Sequence, residues 1–495
     1  VFGMSKRPNG KANGKVSEAK RSLVLTNYHI HSKFLEGETR REIGLRLKNG
    51  DPFPHVHLDN FIGDGNKVIT RLQKELSTME WRRRENDLYT LSQTVDLKSL
   101  KATEAPCLYS FRRFLITSVR SWLSDVSGIE LTSEVDSTGS VYTSHDGLLP
   151  HSDLIATRHF AFVYYLTDRE WSEEDGGFLH LYSANDAHEP VEVVKSLKPQ
   201  RNSLVLFEVS ANSWHRVAEV LSDRNRLSIN GWFHSTRKLV PPPVKIQPIE
   251  RFSPKSTDVD LCDLVMDQYQ KPEMVAQAKL FFNEESEIMV NDFVEESLNA
   301  AVAESLAKTK FVPMGPPSKR HLMRADSSSL KGAAKSLYTI LASSSFALYL
   351  THLTGIELDE TRMSLQVYRL ETGSYSISGD EELEESNKDG YCLDCSLFIG
   401  GEGWDDSAGG VIVYAGKGDT QELIRIQPSG RSLALVLREP DVYSFLKYAN
   451  SAASSPVYSF SLTYYNVPME EEENGEENEE EDEIGDEEES DGSSN

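Results

Sequence analysis

His151 and Asp153 stand two residues apart in the stretch LLPHSDLIATRHF, residues 148–160. Residues two apart on an extended segment point to one face, so the imidazole and the carboxylate can converge on one point. An Asp in so apolar a run is costly to bury unless something pairs with it. His215, in the later segment SWHRV, is the candidate third member, carried by a strand that returns beside the first. Two His and one carboxylate on one face leave three positions of an octahedral metal open, the arrangement of non-haem Fe(II) oxygenases. Those positions take a chelating cosubstrate and then O2, and the metal would be the partner that Asp153 needs.

A 2-oxoacid that chelates such a metal needs its far carboxylate held. Arg226 heads the run RLSING, and its guanidinium is a planar fork suited to bidentate pairing. Ser228, two along on the same strand face, could donate a second hydrogen bond. Tyr142 and Tyr165, on flanking segments, could reach the carboxylate or line the pocket. Arg224 competes, but it sits in the polar turn SDRN, whereas Arg226 begins the apolar run. An H-x-D pair is common by chance, and HVHLD at 55–59 is a second instance. His55, His57 and Asp59 precede helix-like sequence, lack the downstream strands and are read as structural. His145, His159, His180 and His188 have no partner pattern. His151 and Asp153 are singled out by strand context followed by His215 and then R-x-S.

Such a site needs distant strands brought together, and the chain carries two copies of one plan. SGIELTSE at 127–134 recurs as TGIELDET at 354–361, EWSEEDGGFLHLYS at 170–183 as GWDDSAGGVIVYAG at 403–416, and VKSLKPQRNSLVLFEV at 194–209 as IRIQPSGRSLALVLRE at 424–439. Three matches in the same order indicate two related domains. Each copy opens with helical sequence whose apolar residues recur at three- and four-residue spacing. Short β-rich runs separated by paired glycines follow, among them HFAFVYYLT and RLSINGWFH in the first copy and SLALVLRE and VYSFSLTYYN in the second. The expected class is α+β: two tandem double-stranded β-helix (jelly-roll, cupin-like) domains with flanking helices. The divisions are a flexible basic arm at 1–22, a first domain at 23–238, a Pro-rich linker at 239–256, a second domain at 257–468 and an acidic tail at 469–495. At a near-constant offset, His151 and Asp153 fall on Ser378 and Asp380, His215 near Ser444 and Phe445, and Arg226 near Tyr458. No His follows His352, so the second copy cannot supply a two-His set. It is expected to be non-catalytic and to serve partner binding or dimer support.

The net charge of −26 is concentrated at the C-terminal end, where residues 470–495 hold 16 acidic side chains and no Lys or Arg. Such a run cannot bury apolar surface and is expected to be disordered. It suits a basic partner and argues against nucleic-acid binding by that segment. Four cysteines in 495 residues point to a reducing compartment. Cys392 and Cys395 have no second pair to complete a zinc site and are read as ordinary strand thiols. No run is long enough to span a bilayer.

The pattern HSD, SWHRV and RLSINGWFH, with ENDLYTLSQTVDL upstream, resembles the 2-oxoglutarate- and iron-dependent ribosomal prolyl-3-hydroxylases, which act on the small-subunit ribosomal protein of the decoding centre. The resemblance spans roughly residues 25 to 468 and is most specific over NDLY, WLSD, DGG, VKSL, FEVS and LSINGWFH. It implies a dioxygenase with His151, Asp153 and His215 as iron ligands, and Arg226 holding the 2-oxoglutarate carboxylate with help from Tyr142 and Tyr165. It implies Fe(II), 2-oxoglutarate and O2 as cofactors and ascorbate as reductant. The implied partner is a basic ribosomal protein, without membrane association or direct nucleic-acid binding, and with a homodimer as one assembly to test. The implied setting is translational control in nucleus and cytoplasm. Two rival readings are a 2-oxoglutarate oxygenase acting on another protein or on nucleic acid, and a non-catalytic protein-binding scaffold.

Overall fold

A computed structural model describes residues 26–469 apart from 169, 244–248, 257–260, 262–263, 380–383, 385 and 419–420. The arm at 1–22, the acidic tail from 470 onward and Asp380 lie outside the described residues.

In the first copy the β-rich runs form one eleven-stranded antiparallel sheet. Its order from one edge is His55–Asp59, Ser203–Glu208, Arg158–Tyr165, Arg226–His234, Val135–Tyr142, Tyr89–Gln93, Gly147–His151, His215–Val217, Leu179–Ala184 and Pro190–Leu197. Arg82–Glu85 pairs beside Tyr89–Gln93. Successive side chains of a strand point to opposite faces, and here they enter different cores. Leu204 and Leu206 join Phe160, Phe162, Tyr164 and Ile229 against Leu108, Phe111 and Leu123 of the helices Pro106–Phe114 and Arg120–Ser127. Val205 and Phe207 join Ala161 and Tyr165 and meet Leu179, Leu181 and Val217. Those last residues belong to the other end of the strand order, so the sheet rolls over and packs on itself with helices outside. This is the jelly roll expected of an α+β domain.

The second copy repeats the order. Glu287–Val290, Leu433–Arg438, Cys392–Gly400, Val457–Tyr465, Arg362–Leu370, Arg320–Ala325 and Phe311–Met314 line up in one sheet. Glu422–Ile426, Ile412–Gly416 and Val442–Leu446 form a smaller one. Its helices Gly332–Leu341 and Ser344–Thr354 pack on one face through Leu337, Phe346 and Leu350. Leu370, Phe398 and Val457 face the small sheet through Tyr414, Ile426 and Leu446. The recurring S/T-G-I-E-L motif has a backbone cause. Gly128 and Gly355 close the helices before them at φ 75° and 83°, a left-handed position that costs a glycine little.

Several contacts join the copies. The Glu219 carboxylate, 6% exposed, accepts the Ser451 N–H at 3.0 Å, the Ser451 hydroxyl at 2.7 Å and the Tyr448 hydroxyl at 3.3 Å. Lys447 bridges Glu85 and Glu422. Asp87 meets the backbone of Ser378. Glu219→Ala leaves these donors without their buried acceptor, which should destabilise the protein by about 1–3 kcal/mol. Calorimetry should then show the two domains melting apart; a single transition at the wild-type temperature would contradict this. Among the described residues, no helix is long and apolar enough to cross a membrane.

Candidate active site

Strand pairing builds the site. His215 lies directly across from His151 in the antiparallel pair His215–Val217 and Gly147–His151, and their ring centroids are 4.1 Å apart. The His151 Nδ1 is 2.9 Å from the Leu149 carbonyl and the His215 Nδ1 is 2.8 Å from the Ser213 carbonyl. A carbonyl only accepts, so each Nδ1 carries the proton and each Nε2 keeps its lone pair. Asp153 lies between them, its two carboxylate oxygens 3.5 Å from His151 Nε2 and 3.5 Å from His215 Nε2. One ligand atom from each residue lies within 4.8 Å of the other two.

Asp153 arrives there differently from the sequence expectation. The strand ends at His151, and Asp153 has φ 60°. Convergence therefore comes from a left-handed turn after the strand, not from two extended residues sharing a face. Asp tolerates that conformation better than most residues.

The electrostatics suit a cation. Burial, and then the neighbouring His215, push His151 down to about 4, so it is a neutral donor near pH 7. Burial alone would raise the Asp153 carboxyl, but His151 and His215 beside it hold it well below the usual carboxylate range. The nearest cationic side chain to this buried carboxylate is Arg158 at 3.9 Å, itself stacked on the Trp232 ring at 3.5 Å. A buried carboxylate and two imidazoles whose Nε2 atoms face it fit a divalent ion such as Fe(II).

Arg226 fits the second half of the expectation. It is 1% exposed. Its Nε donates to the Gly177 carbonyl at 2.6 Å and an Nη to the Tyr165 hydroxyl at 3.2 Å. Tyr142 and Tyr165 flank it, each ring centroid 5.0 Å from the guanidinium carbon. Register explains the grouping: Tyr142 pairs across from Arg226, and Tyr165 across from Ser228. Among the described residues no carboxylate comes within 4.0 Å of Arg226, so a fully buried cation has no protein anion. The buried Ser228 hydroxyl also lacks a partner. Both line the cavity that holds His151, Asp153 and His215, about 1650 Å³ in volume. An anion with a second acceptor would satisfy both groups, which suits the carboxylate of 2-oxoglutarate. Gly177 permits this approach: a Cβ there would lie 2.9 Å from the Arg226 Cδ. Arg224 turns outward to the Glu170 carbonyl and Asp175.

Two cavity residues escaped the sequence reading. The Asn230 Oδ1 and the Trp232 indole N–H are buried without a hydrogen-bond partner, and both residues line the cavity. The Trp232 indole still lies close enough to help hold Asp153 low. The alternation that selected Ser228 after Arg226 continues to Asn230 and Trp232, so the signal was present. Of the other histidines, His188 lines the cavity, its Nδ1 2.7 Å from Asn212 Oδ1, and several are engaged elsewhere. HVHLD is itself a strand, followed by the helix Gly65–Leu76, with His57 Nε2 3.0 Å from the Ser203 hydroxyl and His55 Nδ1 2.7 Å from the Phe53 carbonyl. His159 contacts the Ser235 hydroxyl. A second group of potential ligands, Glu134, Asp136 and His234, lies off the cavity.

The second copy has no counterpart. Its register sets Val457 across from Leu370 and Ser459 across from Phe398, where the first copy has Arg226 with Tyr142 and Ser228 with Tyr165. Val457, next to the Tyr458 that a near-constant offset indicated, holds the arginine's place, and the one-residue difference matters because it reverses the face. Ser444 sits opposite Tyr414 as His215 sits opposite Leu181. The Ser378 hydroxyl donates to the Ser444 carbonyl at 3.0 Å, so two serines meet where the first copy has two histidines.

Residues 137–234 match the family model of the 2OG-Fe(II) oxygenase superfamily, and residues 257–473 match that of the oxoglutarate and iron-dependent oxygenase degradation C-terminal domain. The chain is 33% identical over 455 residues to prolyl 3-hydroxylase OGFOD1 of Xenopus laevis, covering 84% of this chain and 86% of that protein. It is 30% identical over 492 residues to prolyl 3-hydroxylase OGFOD1 of Mus musculus, covering 84% and 89%. Among solved structures, a prolyl-4-hydroxylase of Pseudomonas putida matches 39% of this chain and 98% of its own, at 17% identity and a TM-score of 0.32.

Proposed function

The chain belongs to the 2-oxoglutarate- and Fe(II)-dependent prolyl 3-hydroxylase family, and from that membership we propose that it hydroxylates a proline of a small-subunit ribosomal protein. The observation that carries the chemistry is the buried Arg226, without a protein anion, in one cavity with His151, Asp153 and His215.

When bound, Fe(II), 2-oxoglutarate and O2 together supply the oxidation: the cosubstrate leaves as succinate and CO2, and one oxygen atom ends on the proline carbon. In this reading the chain's own residues bind, orient and exclude water. His151 and His215 offer Nε2, fixed by the backbone carbonyls at their Nδ1 atoms. Asp153 supplies the anionic ligand. Arg226 holds the far carboxylate of 2-oxoglutarate with the Tyr165 hydroxyl beside it, while Ser228 donates a second hydrogen bond and Tyr142 packs on the guanidinium. The Phe207 ring, 4.5 Å from that of His215, screens the site from water.

Ascorbate as sustaining reductant, action in nucleus and cytoplasm and a link to translational control belong to the same proposal. The acidic composition supports it, since ribosomal proteins are basic. Its test incubates the protein with Fe(II), 2-oxoglutarate, ascorbate and the decoding-centre ribosomal protein. Mass spectrometry should find one added oxygen on a proline, with stoichiometric succinate. An unmodified ribosomal protein would reject the substrate. Unconsumed 2-oxoglutarate in addition would leave the cosubstrate assignment without support.

A further inference from the structure

We propose that the second domain, whose described residues hold no cluster of metal ligands, forms a wall of the active-site cleft and grips an extended, uncharged stretch of the substrate protein on one side of its proline. This rests on the protein-substrate reading above.

The cavity that holds His151, Asp153 and His215 does not end within the first domain. It continues to Lys319, Ile377, Asp394 and Tyr465 of the second, and Pro241 to Pro243 of the connecting segment form part of its rim. At about 1650 Å³ it exceeds the roughly 300–1,000 Å³ of ordinary small-molecule sites. 2-Oxoglutarate and one proline ring leave most of it unfilled, whereas a chain segment running across both domains fills it.

The two walls are held in fixed relation close to the cleft. Asp87, which meets the Ser378 backbone, precedes the cleft residues Leu88 and Tyr89, and Ser378 follows the cleft residue Ile377. Glu219, bound to Ser451, lies two residues beyond Val217 on the strand that carries His215. Rigid walls select an occupant by shape without ordering themselves on binding.

Charge on the second-domain wall decides the chemistry of the occupant. Asp389 is paired with Arg251, and Asp394 with Arg438 at 2.8 Å. Arg251 also stacks on the Tyr465 ring. Both cleft-facing carboxylates on this wall are therefore neutralised within the protein, and a basic segment finds no open anion there among the described residues. Lys319 further disfavours Lys and Arg in the occupant. The basic surface of a ribosomal partner would be met elsewhere, and the stretch entering the cleft is uncharged.

Full-length Lys319→Glu and Ile377→Glu variants test this, with Leu348→Glu, on an exposed helix face of the second domain, as control. Hydroxylation of the decoding-centre ribosomal protein is followed against substrate concentration. The expected result is a KM for that protein raised at least about tenfold in Ile377→Glu, with kcat within about twofold and the control unchanged. Lys319→Glu should tighten binding of a peptide variant in which a Lys is placed beside the proline. If Ile377→Glu does not fold, the Lys319→Glu preference decides. An unchanged KM in Ile377→Glu, or no altered charge preference in Lys319→Glu, overturns the inference and leaves prolyl hydroxylation standing. A ribosomal protein left unmodified by the wild type overturns the parent reading, and this one with it.

Discussion

Asp153→Ala should lower proline hydroxylation by at least about a thousandfold while leaving the protein folded, with some loss of thermal stability. Loss of groups that merely orient metal ligands costs about 10–100-fold, so loss of a ligand should cost more. The stability half of the expectation follows from its surroundings. Asp153 is 9% exposed on its side chain and faces two imidazoles, with Arg158 no nearer than 3.9 Å. Those imidazoles hold its carboxyl well below the usual carboxylate range, so folding favours the charged form and losing it costs stability at neutral pH. His151→Ala should abolish turnover equally and also cost stability, because a ring packed against His215 is lost. Fe(II) binding by titration, turnover by succinate release and melting by calorimetry separate these effects. Turnover above a tenth of wild type in either variant would remove that residue from the metal site.

Arg226→Ala should raise the 2-oxoglutarate concentration for half-maximal turnover by about a hundredfold, with Fe(II) binding retained. Truncating one partner of a buried charged pair costs about 2–5 kcal/mol, and each 1.4 kcal/mol is tenfold. Arg226→Lys should recover part of the loss: an ammonium keeps the charge but cannot offer a fork or reach the Gly177 carbonyl in the same geometry. Arg224→Ala is the control. Its guanidinium is 42% exposed and points to Asp175, away from the cavity, so its effect should stay below about threefold. A larger shift with Arg224 than with Arg226 would reverse the choice between them. Some stability will also be lost in Arg226→Ala, since the Tyr165 hydroxyl and the Gly177 carbonyl lose their donor. For that reason cosubstrate affinity at constant folded fraction, and not total activity, is the informative measurement.

Much of this was legible in the chain because it depends on local periodicity. Alternation along RLSINGWFH announces a strand and places Arg226 and Ser228 on one face. The same alternation extends to Asn230 and Trp232, whose unpartnered groups show that the face stays polar well into the cavity. The repeated G-I-E-L and G-G motifs marked helix ends and turns because left-handed backbone at Gly128, Gly176 and their counterparts Gly355 and Gly409 narrows the choice of residue. The absence of histidine after His352 excluded counterparts of His151 and His215 in the later strands of the second copy.

Other features are invisible to periodicity. The strand ends at His151, and only the turn that gives Asp153 its positive φ brings the carboxylate between the rings. Opposition of His215 and His151 is a matter of register between strands far apart in sequence. A near-constant offset put the counterpart of Arg226 near Tyr458, and only ladder pairing fixed it at Val457, where one residue of slip would exchange the faces. Residue types and their spacing thus determined the chemistry available to this protein: two imidazoles, a carboxylate and an arginine on strands. The tertiary structure alone decided that these meet in one cavity, that the arginine is left without a protein anion, and that the second domain closes over the cleft. Long-range register and burial set those relations, and neither is written in any local stretch of the chain.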